Sequence, residues 1–293
     1  MQYRLLAPLM LAGLVPLVAM SDPPRKLVSP TNLKALNTAG DETDPSTTPS
    51  DLTLYYSARI GDRYEVWMST RRNRTWPWRA GKPVPDLRGK ADYRSVFLTT
   101  DERYPRFLYY ATDVDVINEG AKGTNYDIYF LTKHGPKDDW TTPTPIHHVD
   151  TSAAELYPWL SANGRQLYFS RLDKDGWHVY LAERRTAHES FGQPRRLALP
   201  TGFHHATVSP DGRVMYLQGP LPKNRWGLFR SDMVRGSWTH PQPLDMLNSP
   251  EAPTGDQAPC LSRNGYVLYF ASDRPGGQGG LDLWMVPVPL LKH

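Results

Sequence analysis

The amino-acid sequence predicts an all-β protein, a five-bladed β-propeller closed by an N-terminal strand. Three observations carry that expectation. A segment of the form Leu-Tyr-Phe recurs five times, centred on Tyr55, Tyr109, Tyr168, Tyr216 and Tyr269, at spacings of 48 to 59 residues. Repeats of about that length, each holding several short strands, mark a propeller. The 22 Gly and 28 Pro among 293 residues suit many short strands joined by turns. No long apolar pattern of helical period follows the N-terminal segment, so helix is expected to be scarce.

Taken in order, residues 1–20 read as a secretory signal. Arg4 gives a positive start, and Leu5 to Ala19 is an uncharged apolar run, short for a membrane span and interrupted by Pro8 and Pro16. Residues 21–29 form a Pro-containing leader, and the propeller is expected over 30–293. No membrane span remains once the signal is removed.

Each unit reads as four strands, a to d from the axis outward. Strand a is short, as at Pro158-Trp159-Leu160. A tight turn follows at Ser161-Ala162-Asn163-Gly164, Ser209-Pro210-Asp211-Gly212 and Ser262-Arg263-Asn264-Gly265. Asn-Gly and Asp-Gly supply the positive φ that such hairpins need. Strand b is the Leu-Tyr-Phe segment. Strand c carries an aromatic, often two residues after an acid: Glu65-Val66-Trp67, Asp127-Ile128-Tyr129, His178-Val179-Tyr180, Gly227-Leu228-Phe229 and Asp282-Leu283-Trp284. β-Branched and aromatic residues suit strand interiors. Strand d follows an aromatic-then-proline signal, as at Trp140 with Pro143 and Trp238 with Pro241.

The fifth unit ends after strand c. Leu33-Lys34-Ala35-Leu36-Asn37 matches Leu244-Asp245-Met246-Leu247-Asn248 of the fourth unit. The N-terminal strand is therefore expected to close the last blade, because an open ring would leave two sheet edges unpaired. Two units are irregular. Blade 1 has Thr47-Thr48-Pro49-Ser50-Asp51 in place of the usual turn, and blade 2 has a longer b–c loop over 113–126.

The pattern Pro-x-Leu-Ser-x-Asn-Gly-x-x-Leu-Tyr-Phe-x-Ser-x-Arg over Pro259–Arg274, then Gly279-Gly280-Leu281-Asp282-Leu283-Trp284, resembles the WD40-like propeller repeat of the TolB type. The resemblance covers about residues 30–291. It implies a β-propeller and an exported, periplasmic or secreted setting, and it implies no single activity. The family's namesake has an extra N-terminal domain and six blades, neither of which is read here. The same repeat serves prolyl-oligopeptidase-like peptidases beside a hydrolase domain, but no Gly-x-Ser-x-Gly elbow is present.

The candidate ligand site is the axial mouth. An acid precedes strand a by three residues in four blades: Glu42, Asp92, Glu155 and Asp256. Blade 4 has Phe203 there, followed by His204 and His205. Arg59, Arg171 and Arg274 recur just after strand b on the same face. Either the acids bind a ligand together or they are blade-to-blade staples paired with the arginines. Trp177 and Trp226, in b–c loops on that face, are candidate platforms for a sugar or peptide.

Five-bladed propellers also house arabinanase- and xylosidase-like enzymes, which work with two unlike carboxylates. The near-uniform acids here argue for architecture rather than an acid/base pair. The expected role is a binding or scaffolding module of the periplasm or cell envelope, with a protein, peptide or saccharide ligand. The alternative is a carbohydrate-active enzyme.

No cofactor or metal site is expected. The loop Asp113-Val114-Asp115 with Asn118 and Gly120 has the wrong spacing for calcium. His147-His148 and His204-His205 lie in different blades. Cys260 is the single cysteine, so no internal disulfide can form, and it reads as a buried strand residue. The net charge of +4 is spread along the chain and gives no case for nucleic acid.

Overall fold

The computed structural model describes residues 28–89, 91–99, 106–115 and 121–291. Five antiparallel sheets follow one another along the chain. Blade 1 comprises Glu42–Thr47, Thr53–Ile60, Arg63–Thr70 and Lys82–Pro83. Blade 2 comprises Tyr93–Leu98, Arg106–Asp115, Ala121–Lys133 and Thr144–Pro145. Blade 3 comprises Ala154–Leu160, Gln166–Asp173, Gly176–Glu183 and Arg195–Arg196. Blade 4 comprises His204–Val208, Val214–Leu221, Arg225–Val234 and Gln242–Pro243, with the short strand Ser237–Trp238 beside them. Blade 5 comprises Asp256–Leu261, Val267–Ser272, Asp282–Pro287 and the N-terminal Thr31–Asn32. Each strand a contacts strand a of both neighbouring blades, which closes the ring around the axis. The one helical element among the described residues is the 3-10 turn Val288–Leu291.

Closure by the N-terminus is as expected, with a shift of detail. Thr31 and Asn32 pair with Met285 and Trp284. Residues 33–37 form the turn that follows this strand, not the strand itself. The match with 244–248 is a match of two latches. Leu33 N–H donates to Leu283 O as Leu244 N–H donates to Leu228 O. Asn37 then accepts from Leu283 N–H and donates to Leu283 O, as Asn248 does with Leu228. In each case one asparagine side chain supplies the acceptor for the N–H of a strand-c residue and adds a second donor to its C=O.

The repeat dictates the core. The strand-b residues Leu54, Leu108, Leu167, Met215 and Leu268 are buried, as are Val66, Ile128, Val179, Leu228 and Leu283 of strand c. Burying each such side chain contributes roughly 1.5–3 kcal/mol. Tyr109, Tyr168, Tyr216 and Tyr269 fill the space between sheets.

Gly164, Gly212 and Gly265 adopt φ of 66°, 71° and 76°. Blade 1 keeps this turn without glycine: Asp51 takes the position at φ 60°, and its N–H bonds Thr48 O as Gly164 N–H bonds Ser161 O. The Asp51 carboxylate is then held by Arg71 and the Tyr269 hydroxyl. Burial, opposed by Arg71, pushes its pKa above the usual range.

Residues 1–20 and the start of the leader lie outside the described residues. Among the described residues no helix is long and apolar enough to cross a membrane.

Candidate ligand site at the axial mouth

Every strand a carries a bulge at the same place. Register slips between Thr43 and Ser46, Arg94 and Phe97, Leu156 and Trp159, His204 and Thr207, and Gln257 and Cys260. One residue in each bulge has positive φ: Asp44 (50°), Ser95 (56°), Tyr157 (59°), His205 (52°) and Ala258 (52°). A bulge turns a side chain out of the alternation of its strand. Asp44, Ser95, Tyr157 and His205 thereby line the axis in one layer. Next comes a narrow layer of Pro45, Val96, Pro158, Ala206 and Pro259, then Ser46, Phe97, Trp159, Thr207 and Cys260. These enclose a cavity of about 30 Å³, room for roughly one water. At the far end Arg263 lies over Phe97 and Trp159, 5.0 and 5.8 Å from their ring centroids. It donates to Leu160 O across the ring at 2.6 Å. Burial without an acidic partner among the described residues lowers its pKa to about 10. The axis is therefore no open pore, and the layer of bulges is met from the opposite face.

On that face the central group is an ion pair. Arg94 Nε and Nη2 donate to Asp44 Oδ2 and Oδ1 at 2.9 and 3.3 Å. Asp44 also accepts from Ser57, Ser95 and Thr43. Burial alone would raise the Asp44 pKa, but Arg94 and the hydroxyls outweigh it and hold the carboxyl below its usual range. Five donors saturate this carboxylate.

Aromatic rings surround the pair. The Arg94 guanidinium lies 4.5 Å from the Tyr64 ring and 6.0 Å from Tyr157. Tyr157 stacks on His205 at 4.0 Å. Trp177 stacks on His204 at 5.2 Å, and Trp226 meets His204 edge-on at 4.9 Å. His204 Nδ1 faces Gly202 O at 2.9 Å. A carbonyl only accepts, so Nδ1 bears the proton and Nε2 keeps its lone pair. Burial lowers the pKa of His204 to about 4 and of His205 to about 3, so both are neutral at pH 7. His205 Nδ1 is buried without a hydrogen-bond partner. Tyr64, Tyr157, Trp177 and Trp226 each remain partly exposed.

The acids named from the sequence stand beside this site rather than in it. Glu42 accepts from Thr38 N–H and Oγ1 (2.8 and 2.6 Å), and Glu155 from Thr151 N–H and Oγ1 (3.3 and 2.5 Å). Asp256 accepts from Ser249 N–H at 2.6 Å. Each ties down the loop entering its own blade. Arg171 and Arg274 reach Glu155 and Asp256 at 2.7 and 2.5 Å, and add bonds to Val149 O and Leu247 O. Arg59 departs from this pattern: it pairs with Asp41 at 3.3 Å, not with Glu42. Asp92 is one residue out of step, since Tyr93 occupies the slot two before the bulge. Asp92 instead accepts from Tyr64 N–H and the Tyr126 hydroxyl, across blades 1 and 2. Burial raises the pKa of Glu42 and of Glu155.

Phe203 leaves no gap in blade 4, because it packs into the core against Phe229 and Gly219. Trp177 and Trp226 open strand c of blades 3 and 4 rather than lying in loops. The structure thus brings His204, His205, Trp177 and Trp226 together, and adds Asp44, Arg94, Tyr64 and Tyr157. Of these four, Asp44 and Tyr157 are bulge residues two positions after Glu42 and Glu155, whereas Arg94 and Tyr64 lie outside the bulges.

Two side-chain groups have metal-type donors, Asp173–Asp175–His178 and Asp127–Asp150–Glu155. Most of their donors already have protein partners: His178 and Arg196 on Asp175, Tyr180 on Asp173, Asn125 on Asp127, and the loop and Arg171 on Glu155. Asn118 and Gly120 lie outside the described residues. Cys260 is buried, which pushes its thiol pKa up to about 12.

No protein-family model matches the chain, and no curated protein matches it in sequence. Solved structures do share its fold. The catalytic domain of the Coprinopsis cinerea GH62 α-L-arabinofuranosidase is similar over 93% of this chain and 95% of its own, at 12% identity and TM-score 0.59. The α-L-arabinofuranosidase PaAbf62A of Podospora anserina, in complex with cellotriose, covers 93% and 94% at 12% identity and TM-score 0.57. A putative TolB from Agrobacterium tumefaciens covers 84% and 77% at 16% identity and TM-score 0.51. At such identities the likeness is one of fold. The chain is a five-bladed β-propeller, similar in fold to propellers of glycoside hydrolases and of a putative TolB.

Proposed function

We propose that this protein is an exported, saccharide-binding propeller of the periplasm or cell envelope, built of TolB-type repeats. In this reading residues 1–20 are removed as a signal and residues 21–29 lead into the ring. The observation that carries it is the aromatic-walled mouth over a saturated carboxylate. Tyr64, Tyr157, Trp177 and Trp226 offer rigid, partly exposed ring faces around a few fixed polar groups, the make-up of a small-molecule site. Sugar rings present C–H faces to aromatics and hydroxyls to Arg94 and His204 Nε2. Cellotriose in the complex of PaAbf62A is in keeping with this class of ligand.

Binding is favoured over hydrolysis by the axial layer. Glycoside hydrolysis uses two carboxylates flanking the scissile bond. Asp44 is the one acid among the five bulge residues, and its oxygens are filled by five protein donors. Glu42, Glu155 and Asp256 are engaged with their loops.

Titration with oligosaccharides, followed by the fluorescence of Trp177 and Trp226, is expected to saturate, and Trp177→Ala is expected to weaken binding at least tenfold. A panel of aryl-glycosides should show no turnover. Turnover that disappears in Asp44→Asn or Glu155→Gln would overturn the binding reading in favour of a carbohydrate-active enzyme.

A further inference from the structure

Resting on the saccharide reading, we infer that the ligand of this mouth carries a carboxylate, as an oligosaccharide containing uronic acid does, and that Arg94 receives it. The argument starts from a count of donors and acceptors. An arginine has five N–H groups and no acceptor. Two of those of Arg94 go to Asp44. The Tyr126 hydroxyl is within reach of the guanidinium and can take a third, since its own proton goes to Asp92. At least two remain, and Asp44 is the only acid paired with Arg94 among the described residues.

Asp44 cannot absorb them, because three hydroxyls share its oxygens with Arg94. Its role is that of a positioning residue. It grips the guanidinium from one side, and the Tyr64 and Tyr157 rings flank it. The free edge is thereby fixed while the side chain keeps 16% of its exposure. The remaining N–H groups of a planar, pre-oriented guanidinium match the oxygens of a carboxylate. Little side-chain freedom is left to lose on binding.

Asp44 and Asp92 keep their negative charge near Arg94, so the choice of a carboxylate rests on the fixed fork of N–H groups and not on net charge. Asp92 is occupied by Tyr64 N–H and Tyr126, and Asp41 by Arg59. His204 and His205 are neutral. The narrow cavity behind the bulge layer holds about one water, so the sugar ring stays at the level of the aromatics. Only a substituent projecting inward meets Arg94.

The test is a set of matched titrations of the full protein, read by tryptophan fluorescence and by calorimetry. Trigalacturonate and a glucuronic-acid-bearing xylotetraose are each compared with their methyl esters, and cellotriose serves as the neutral probe. At least one acid is expected to bind tenfold or more tighter than its ester, with the difference shrinking as salt is raised. Arg94→Lys keeps the charge but loses the fork, and should cost the acid tenfold or more and the ester, which meets Arg94 only through neutral oxygens, at least threefold less than the acid. Equal binding of acid and ester by the wild-type protein overturns the inference and leaves the saccharide reading standing. That comparison needs no variant to fold. Equal loss of acid and ester in Arg94→Lys overturns it as well. If none of the saccharides binds, or if carboxylate-terminated tripeptides bind instead, both the inference and the saccharide reading fall.

Discussion

The buried histidine pair makes acid stability a direct test of the site. His204 and His205 have pKa values of about 4 and about 3 in the folded protein. An unfolded histidine titrates near 6.5. Between those limits the unfolded chain binds protons that the folded chain refuses, so stability falls as pH falls. Each such group contributes roughly 1.4 kcal/mol per pH unit, and two contribute about 2.7. From pH 7 to pH 5 some 1.5 units lie below 6.5, which gives a loss of about 4 kcal/mol. That is a large part of the 5–15 kcal/mol typical of a domain. Raised carboxyl groups act the other way: Asp51, Glu42 and Glu155 take up protons more readily when folded and gain stability as pH falls. Their effect is common to any variant that leaves them in place. The assay is therefore urea unfolding at pH 7, 6 and 5 on the wild type and on His204→Phe/His205→Phe, which keeps both rings. The gap in unfolding free energy between the two proteins should move by about 4 kcal/mol in favour of the variant as pH drops. A gap that stays constant across this range would show that the histidines are not buried as neutral rings, and the description of the mouth would fail with it.

Further outcomes follow from single contacts. Gly212 has φ 71°, and a Cβ there would meet nothing within 4 Å, so Gly212→Val isolates backbone strain; urea melts should show a loss of about 1–2 kcal/mol. Asn37→Ala leaves Leu283 N–H without its acceptor at the closing blade, while Leu283 O keeps Leu33 N–H, and should cost roughly 1–3 kcal/mol, with Asn248→Ala costing a similar amount in blade 4. Asp44→Asn strands the mostly buried Arg94 charge, and a loss of about 3–5 kcal/mol is expected in thermal or urea unfolding. The half-exposed Arg59–Asp41 pair is the control, since Asp41→Asn should cost less than about 1 kcal/mol.

The architecture was legible because a propeller repeats its evidence. Five Leu-Tyr-Phe segments, three Asn-Gly or Asp-Gly turns and a missing last strand each had independent copies to support them. The turn of blade 1 was hidden because Asp51 does with a side-chain network what glycine does elsewhere by lacking a Cβ. The candidate site was half legible. Trp177, Trp226, His204 and His205 stood out as departures from the repeat, and the mouth is built on them. Glu42, Glu155 and Asp256 stood out as well, but for their regularity, and they proved to fasten loops. Asp44, Arg94 and Tyr157 drew no notice because strand alternation places neighbours on opposite faces, and only the bulge turns Asp44 and Tyr157 to the axis. A bulge has no marker of its own in a single sequence.

That bulge also says where function is written on this scaffold. A left-handed backbone costs a residue with a Cβ roughly 1–2 kcal/mol, and glycine would escape that strain. Yet none of the five axial positions is glycine. What the side chains do there accounts for the choice. Asp44 grips Arg94, and Ser95 bonds Asp44 through Oγ. Tyr157 and His205 stack on one another. Ala258 is the plain member, and its own N–H is taken by Gln218. The bulge is present in every blade while the side chain on it differs, and four of the five, Asp44, Ser95, Tyr157 and His205, line the axis. The five positions are structurally equivalent but chemically coupled, Ser95 to Asp44 and Tyr157 to His205, and Arg263 closes the far end of the axis. Side chains at these positions can differ while the repeat that builds the ring stays as it is. An acid in slot one, gripping an arginine from the neighbouring blade, is the arrangement that this chain has settled on.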